Sequence, residues 1–563
     1  MSTLIAAERS TNRLSQPWLE EKTETHSDDL KAEIKDGIVY SPYPEIEIPL
    51  SSLYAVVEQS LLLFGDKAAL VQHADSLTYL EMLSLLRRYS AGFQARGIGR
   101  GDRVTCCLSN TLENFVALFG VIFAGATTIL TEPVLTSDEL KFQVTNSASK
   151  YILTDSENAP KFQGLQTRAD IKELMVVGSW PGFFSVSAFQ DISDTSFKEV
   201  SLPDTRNEIA AICYSSGTTG SPKAVEITHY SYIAGMMSLM SSRIFGADDV
   251  FLGCESITHA FGFFFTMFGV CTGTTTVMWK PDAPMTEVTG AIKRHKITAV
   301  VCFPVMLHKL SEYIELTGVT LDTVRKILFT GGCIPTTLGR KIRSQFSLEC
   351  FRNLYGLSES LSPACMPSWD ETDCDNIGFP SSLVQLKVVD VETGLPVGPY
   401  RTGELHIKTP AVTRGYSRKT GTVSAVDEGG WLASGDLVYY NEDGRFYYYE
   451  RIKSMIKCLD YEVAPSELEE ILLSHPSVAE AVVVGVLYPE FGEVAKAFVV
   501  IKDSVCPDMS PTSEVLQEFV AARTAFFKHL YGGVVIVQSI PKTRTGKAKR
   551  QKLKETGKTS KTN

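Results

Sequence analysis

Between residues 79 and 354 short apolar runs alternate with stretches of helical periodicity, and this alternation restricts the fold more than any other feature of the chain. Apolar residues recur at helical spacing at Tyr79, Met82, Leu83, Leu86, Tyr89 and Phe93, and Gly97 supplies a stop. Residues 103–108 read as a buried strand. Residues 110–113 introduce an apolar helix over 115–123. Strands at 126–130 and 151–154 flank a helix that starts at Ser137. The pattern continues with strands at 209–214, 299–303, 326–329 and 350–354, and helices at 229–240, 304–316 and 338–346. Such a succession predicts an α/β fold of parallel sheets with helices on their faces. After about Ile377 short strands (385–389, 403–407, 437–440, 445–449) are divided by turns, and Asn441-Glu442-Asp443-Gly444 is a strong hairpin signal. This predicts a β-rich subdomain. A small α+β unit closes the chain, with strands at 482–486 and 495–501 and a capping box at Ser466–Glu469. The expected division is a flexible leader at 1–45, a large domain at 46–452 and a small mobile domain at 453–563.

The strand at 209–214 runs into the stretch 214–225, YSSGTTGSPKAV. Gly217 and Gly220 let backbone N–H groups approach an anion closely. Ser215, Ser216, Thr218 and Thr219 add hydroxyl donors, and Lys223 adds charge. The spacing is not that of a Walker A loop, because Pro222 precedes Lys223. Taken alone, the stretch fits a phosphate cradle or a polar surface loop. Composition narrows the partners. Lys plus Arg number 54 against 65 Asp plus Glu, a net charge of −11, which argues against broad nucleic-acid binding. The 12 cysteines contain no CxxC and read as reduced thiols of a cytoplasmic protein. The apolar run at 115–126 falls short of the roughly 20 residues a membrane helix needs, so no membrane insertion is expected. The C-terminal residues are not a Ser-Lys-Leu peroxisomal address. A monomer or weak homo-oligomer is expected.

Several stretches in order now carry a specific resemblance. They are 214–225, Tyr355-Gly356-Leu357-Ser358-Glu359, Thr402-Gly403-Glu404-Leu405, Ser434-Gly435-Asp436, 451–457 and Pro541-Lys542-Thr543-Arg544-Thr545-Gly546-Lys547. Over roughly residues 50–555 the chain resembles the adenylate-forming superfamily of acyl-CoA synthetases, peptide-synthetase adenylation domains and beetle luciferases. Residues 530–535 and 451–454 look most like its 4-coumarate–CoA ligase and luciferase-like branch. The resemblance implies a two-step reaction. A fatty or aryl-alkanoic carboxylate attacks the α-phosphate of MgATP, giving acyl-AMP and pyrophosphate, and the thiol of CoA then displaces AMP.

Residue by residue, the resemblance implies that Ser215, Ser216, Gly217, Thr218, Thr219, Gly220 and Lys223 hold the ATP phosphates. Glu359, with Thr218, binds Mg²⁺, and Ser358 donates to phosphate. Asp436 accepts the ribose hydroxyls, and Arg451 contacts ribose or phosphate. Tyr355 stacks on adenine beside Gly356, while Gly331, Gly332 and Cys333 line the base and acyl pocket. His259 lies beside the acyl carboxylate. Lys547 bridges carboxylate and α-phosphate, Lys453 is a hinge, and Lys457 lies on the acceptor path. The run Phe261, Phe263, Phe264, Phe265 and Met267 suggests an apolar acyl site that shares residues with the core.

Four positions depart from the family pattern. Ala224 stands for Gly after Pro-Lys, and Leu354 for the Gly before Tyr355. Glu450 stands for Asp before Arg451, and Asp460 for a Gly past which the CoA arm travels. Asp460 sets the acceptor step apart. Two further readings remain: an adenylating enzyme with a non-CoA acceptor or luciferase-like oxygen chemistry, and a degenerate nucleotide-binding regulatory protein.

Overall fold

The computed structural model describes residues 30–165, 170–215, 222–242, 244–418, 421–459, 461–488, 492–503, 505, 510–543 and 546–558. The predicted alternation builds two largely parallel sheets. In the first, Ile209–Ser215, Thr127–Leu130, Arg103–Cys107, Tyr151–Asp155 and Glu173–Val177 lie side by side in one sense. In the second the parallel order is Cys350–Leu354, Lys326–Thr330, Ala299–Cys302, Val250–Gly253, Thr275–Met278 and Ala68–Gln72. Beyond their first turns the helices Leu112–Phe123 and Ala260–Cys271 are buried on all sides, which their nearly continuous apolar sequences require. One continuous core joins them to residues of both sheets, such as Val104 and Leu153 of the first and Leu70 and Phe251 of the second. Phe119 stacks on Phe263 at 5.0 Å between ring centroids, locking the two helices together.

The change of texture after Ile377 corresponds to an antiparallel sheet in which Gln385–Val389, Gly403–Lys408, Leu432–Tyr440 and Phe446–Arg451 pair in succession. The C-terminal unit has its own sheet and its own core around Val483, Val499, Leu468 and Leu516. Among the described residues no helix is long and apolar enough to cross a membrane.

The structure revises four local expectations. The leader does not extend to residue 45. Ile34–Lys35 and Ile38–Tyr40 form a hairpin, and the second strand pairs with Gln385–Val389 of the antiparallel sheet. Ser466–Glu469 is not a capping box. Proline starts that helix at Pro465, Ser466 donates its N–H to Glu450, and Glu469 is drawn away to Val483 N and Arg550. The helix after Asn110 is capped by Thr111, which accepts from Asn114 N, and Asn110 has another task described below. Finally, a strand that the sequence reading does not contain precedes helix His229–Met240. Lys223–Thr228 is a strand that turns back antiparallel on Ile209–Ser215, and only then does helix His229–Met240 begin.

Candidate active site

Ser216, Gly217, Thr218, Thr219, Gly220 and Ser221 lie outside the described residues, as does Asp460. The base of the hairpin is well defined. Ser215 pairs opposite Lys223, and Tyr214 opposite Ala224. The Ala224 methyl is accommodated in a small apolar cluster with Ile129 and Ile212. A strand from beyond the second sheet, Gly415–Arg418, adds to the hairpin edge with Tyr416 opposite Val225. It approaches Glu359 twice: Thr413 N donates to the Glu359 carbonyl at 2.7 Å, and the Tyr416 hydroxyl donates to Glu359 Oε1 at 3.0 Å. Ser215 Oγ reaches the same oxygen at 3.5 Å. Lys223 Nζ sits 4.6 Å from the centre of the Tyr416 ring. Burial first, and then the neighbouring carboxylate of Glu359, push the Tyr416 hydroxyl well above its ordinary pKa, so it stays protonated and donates.

A second cluster forms where Asp436 and Arg451 pair across adjacent strands. Asp436 is buried, and its two oxygens are divided. Oδ1 accepts from Arg451 Nε at 2.7 Å, and Oδ2 from the Tyr355 hydroxyl at 2.7 Å. Tyr355 therefore approaches Asp436 through its hydroxyl, with its ring in the core of the antiparallel sheet. Gly356 leaves little room for a side chain, since a Cβ there would lie 3.1 Å from Pro363 Cα. Leu354 packs wholly inside the large core, so its departure from glycine reshapes the interior and not an open pocket.

Lys547, exposed on its loop in the C-terminal unit, lies near enough to this cluster for the charges of Arg451 and Asp436 to act on it. Its loop closes on itself, with Thr543 N donating to the Lys547 carbonyl and Lys547 N to Thr543 Oγ1. Gly546 adopts φ +83°, and a Cβ there would meet Val305 Cβ at 2.6 Å, so the loop lies directly against helix Pro304–Thr317. The Lys547 ammonium is pulled below the usual lysine pKa, first by desolvation and next by Arg451, with Asp436 opposing.

His259 caps helix Ala260–Cys271, where its Nδ1 accepts from Phe261 N at 3.2 Å. The neutral ring therefore carries its proton on Nε2. The loop before it is pinned by Asn110, whose amide donates to Glu255 O and Trp279 O and accepts from Ile257 N. The His259 ring meets Phe303 edge-on at 5.7 Å, Phe261 lies 5.2 Å from Phe303, and a Cβ on Gly331 would touch Phe303 at 3.0 Å. Of the aromatic run, Phe263, Phe264, Phe265 and Met267 belong to the core, and only Phe261 keeps partial exposure beside His259. Gly332 lies 3.6 Å, measured from a built Cβ, from Pro304 Cγ, and Cys333 is exposed.

Lys453 lies exposed in the single helical turn Ile452–Ser454 between the two units. Lys457 is exposed on the C-terminal sheet, where its N–H meets Glu493, and no described hydrogen bond or ion pair joins it to the clusters above. Ser358 lies half-buried beside Glu359. Glu450, buried, accepts from Arg451 N at 2.8 Å and from Ser466 N at 3.1 Å, linking the antiparallel sheet to the first turn of helix Pro465–Leu473. A separate cavity of about 430 Å³ opens near the strand ends of both parallel sheets, lined in part by Glu132, Ser256, Trp279 and Glu287, and none of the sequence-predicted residues lines it. Sequence reasoning missed Tyr416. It stands 57 positions from Glu359, and only the tertiary pairing of its strand brings the two together.

Comparison with known proteins follows the same outline. Residues 57–417 match the family model described as AMP-binding enzyme, and 467–547 match the AMP-binding enzyme C-terminal domain. The chain is 30% identical to 4-coumarate–CoA ligase 2 of Oryza sativa subsp. japonica, over 91% of this chain and 94% of that one. It is 27% identical to luciferin 4-monooxygenase of Photinus pyralis, over 89% and 93%. Its fold superposes on the anthranilate CoA ligase AuaEII in complex with anthranoyl-AMP with a TM-score of 0.81 at 21% identity, covering 91% of this chain and 98% of that one.

Proposed function

Because the chain belongs to the AMP-binding enzyme family, we propose that it activates a fatty or aryl-alkanoic acid with ATP and passes the acyl group to the thiol of CoA. What supports this most is that the Asp436 carboxylate is held ready by Arg451 and Tyr355, and that the loop carrying Lys547, from a separate unit, packs against helix Pro304–Thr317 within reach of the charges of Asp436 and Arg451. In the first step a carboxylate oxygen bonds to the α-phosphorus and the bond to pyrophosphate breaks. Two anions must meet, so the task of the site is positioning and charge neutralisation. In this reading Lys547 lies between the carboxylate and the α-phosphate, Asp436 accepts the ribose hydroxyls, and Tyr355 and Arg451 hold the Asp436 carboxylate in place. Gly331, Gly332, Cys333 and Gly356 supply narrow walls for base and acyl group, with Phe261, Phe303 and His259 beside the acid.

The hairpin residues, Lys223 and Ser358 retain the departing pyrophosphate. A single carboxylate with nearby hydroxyls suits Mg²⁺, which takes one or two carboxylates and completes its shell with phosphate and water. Glu359 and Thr218 would hold it, and it supplies charge neutralisation of the phosphates. In the second step the thiol sulfur bonds to the acyl carbon, the bond to AMP breaks, and the thiol proton leaves to solvent. Lys453 serves as the hinge about which the unit at 453–563 turns between steps, which brings Lys457 and Asp460 towards the acceptor.

A second acceptor reading has support too. The curated relatives include both a CoA ligase and a luciferin monooxygenase at similar identity. A pyrophosphate-release screen over aliphatic and aryl acids, run with and without CoA, separates the possibilities. Release with stoichiometric CoA consumption supports the ligase. Release without it moves the second step to another acceptor. No release with any acid removes the adenylation reading.

A further inference from the structure

Tyr416 occupies a position between two opposite charges. Its ring lies under the Lys223 ammonium, and its hydroxyl is bonded to Glu359. Among the described residues no ion pair joins Lys223 to Glu359, although both contact the same tyrosine. Both hydrogen bonds to the Glu359 carboxylate, from Tyr416 and from Ser215, fall on Oε1, and no described bond falls on Oε2. The tyrosine itself is fixed by strand pairing to Val225, one residue beyond Ala224 of the hairpin, while Thr413 holds the Glu359 backbone. A further anchor secures this strand. Glu226, buried in the hairpin, faces Arg414 at 3.7 Å, accepts from Thr422 Oγ1 at 2.9 Å, and receives the Thr413 hydroxyl on its carbonyl.

We propose that Tyr416 is a positioning residue that keeps Lys223 and Glu359 apart and turns Glu359 Oε2 towards the nucleotide-bound cation. This rests on the adenylation reading for its purpose but not for its geometry. Without the ring, a lysine and a glutamate at the edge of one site neutralise each other. The anionic nucleotide then loses its cation, and the metal loses its carboxylate. With the ring in place the lysine is attracted to the π face and the glutamate to the hydroxyl, so that no described residue bonds Glu359 Oε2. Tyr416 touches neither phosphate nor metal in this role and acts through its two neighbours.

The test uses the full-length protein and equilibrium binding. Mn²⁺ is titrated in the presence of a non-hydrolysable ATP analogue and followed by electron paramagnetic resonance. Tyr416→Phe keeps the spacer and loses the hydroxyl, so metal–nucleotide affinity is expected to fall about 10-fold, the scale of a hydrogen bond to a charged group. Tyr416→Ala loses both and should fall further. In a Glu359→Gln background Tyr416→Phe should cost little more, because its effect passes through that carboxylate. Melting temperatures report on any general destabilisation. Unchanged affinity in Tyr416→Phe, or a full additional loss in the Glu359→Gln background, overturns the proposal. A wild-type protein that binds Mn²⁺ and nucleotide with this coupling yet releases no pyrophosphate with any acid overturns the functional reading and leaves the role of Tyr416 standing.

Discussion

Replacing Gly546 by alanine tests whether the loop carrying Lys547 works where the structure places it. Two effects act on the substitution. The backbone at φ +83° lies in the left-handed region, which costs an L-residue roughly 1–2 kcal/mol. The new Cβ also falls 2.6 Å from Val305 Cβ and 3.1 Å from its Cγ1, too close for any real contact, so the loop must withdraw from helix Pro304–Thr317. Taking the backbone penalty alone as a bias against the docked loop, its population falls about 5- to 30-fold, and the steric contact adds to that. The assay is carboxylate-dependent ATP–pyrophosphate exchange at saturating acid and ATP, with thioester formation from supplied acyl-AMP and CoA as the internal control. Exchange should drop by the stated factor while the second step persists. Undiminished exchange would falsify the docked placement of Lys547, and equal loss in both steps would show a folding defect instead.

The same clusters yield further expectations. Lys547→Ala should slow acyl-AMP formation by about 10²–10³-fold and spare thioester formation from supplied acyl-AMP; a parallel fall in both rates contradicts the assigned role. Because desolvation and Arg451 lower the Lys547 pKa, its proton is lost at lower pH than that of an ordinary lysine. The alkaline limb of adenylation should therefore move to higher pH in Lys547→Arg, and a pH profile that does not shift excludes Lys547 as its origin. Asp436→Ala should mainly raise the KM for ATP, since it removes a carboxylate held ready by Arg451 and Tyr355; initial rates against ATP concentration decide this. His229 is buried and accepts from Leu53 N through Nδ1, and burial pushes it down to about 4 against an ordinary 6.5. The folded protein resists a proton that the unfolded chain binds, so stability is intact above the ordinary value and is lost as pH falls towards 4. Denaturant melts should show about 2 kcal/mol less stability at about pH 5 than at about pH 7 from this group, with the difference reduced in His229→Gln.

What could be read from the chain and what could not have separate physical causes. The parallel sheets were legible because periodicity changes between strand and helix at each crossover, as at 126–154 and 299–354. Strand Lys223–Thr228 was hidden because Pro222 and the loop before it mask the return of the hairpin, and its β character comes from pairing on both sides. The false capping box at Ser466 has the right residues at the right spacing. Pro465 opens the helix first, however, and Glu469 bonds Arg550 and Val483 N instead of its own helix start. Asp436, Arg451, Glu359 and Lys547 were visible as members of short contiguous motifs. Tyr416 was not, because its partners are set by long-range strand pairing that leaves no spacing in the sequence.

Glu450 bonds the first turn of a helix on the far side of Lys453. Any turn about that hinge uncovers the helix end and strips the carboxylate of one donor. Losing such a contact costs about 1 kcal/mol, so in the proposed cycle the small unit must be released from this pose each time. Distance measurements between labels on the two units should show the resting pose depleted in Glu450→Ala, and an unaltered distribution would mean that the latch carries no load. In the proposed cycle Glu450 thus acts on timing, because it sets how long the small unit holds its first pose before turning to the second.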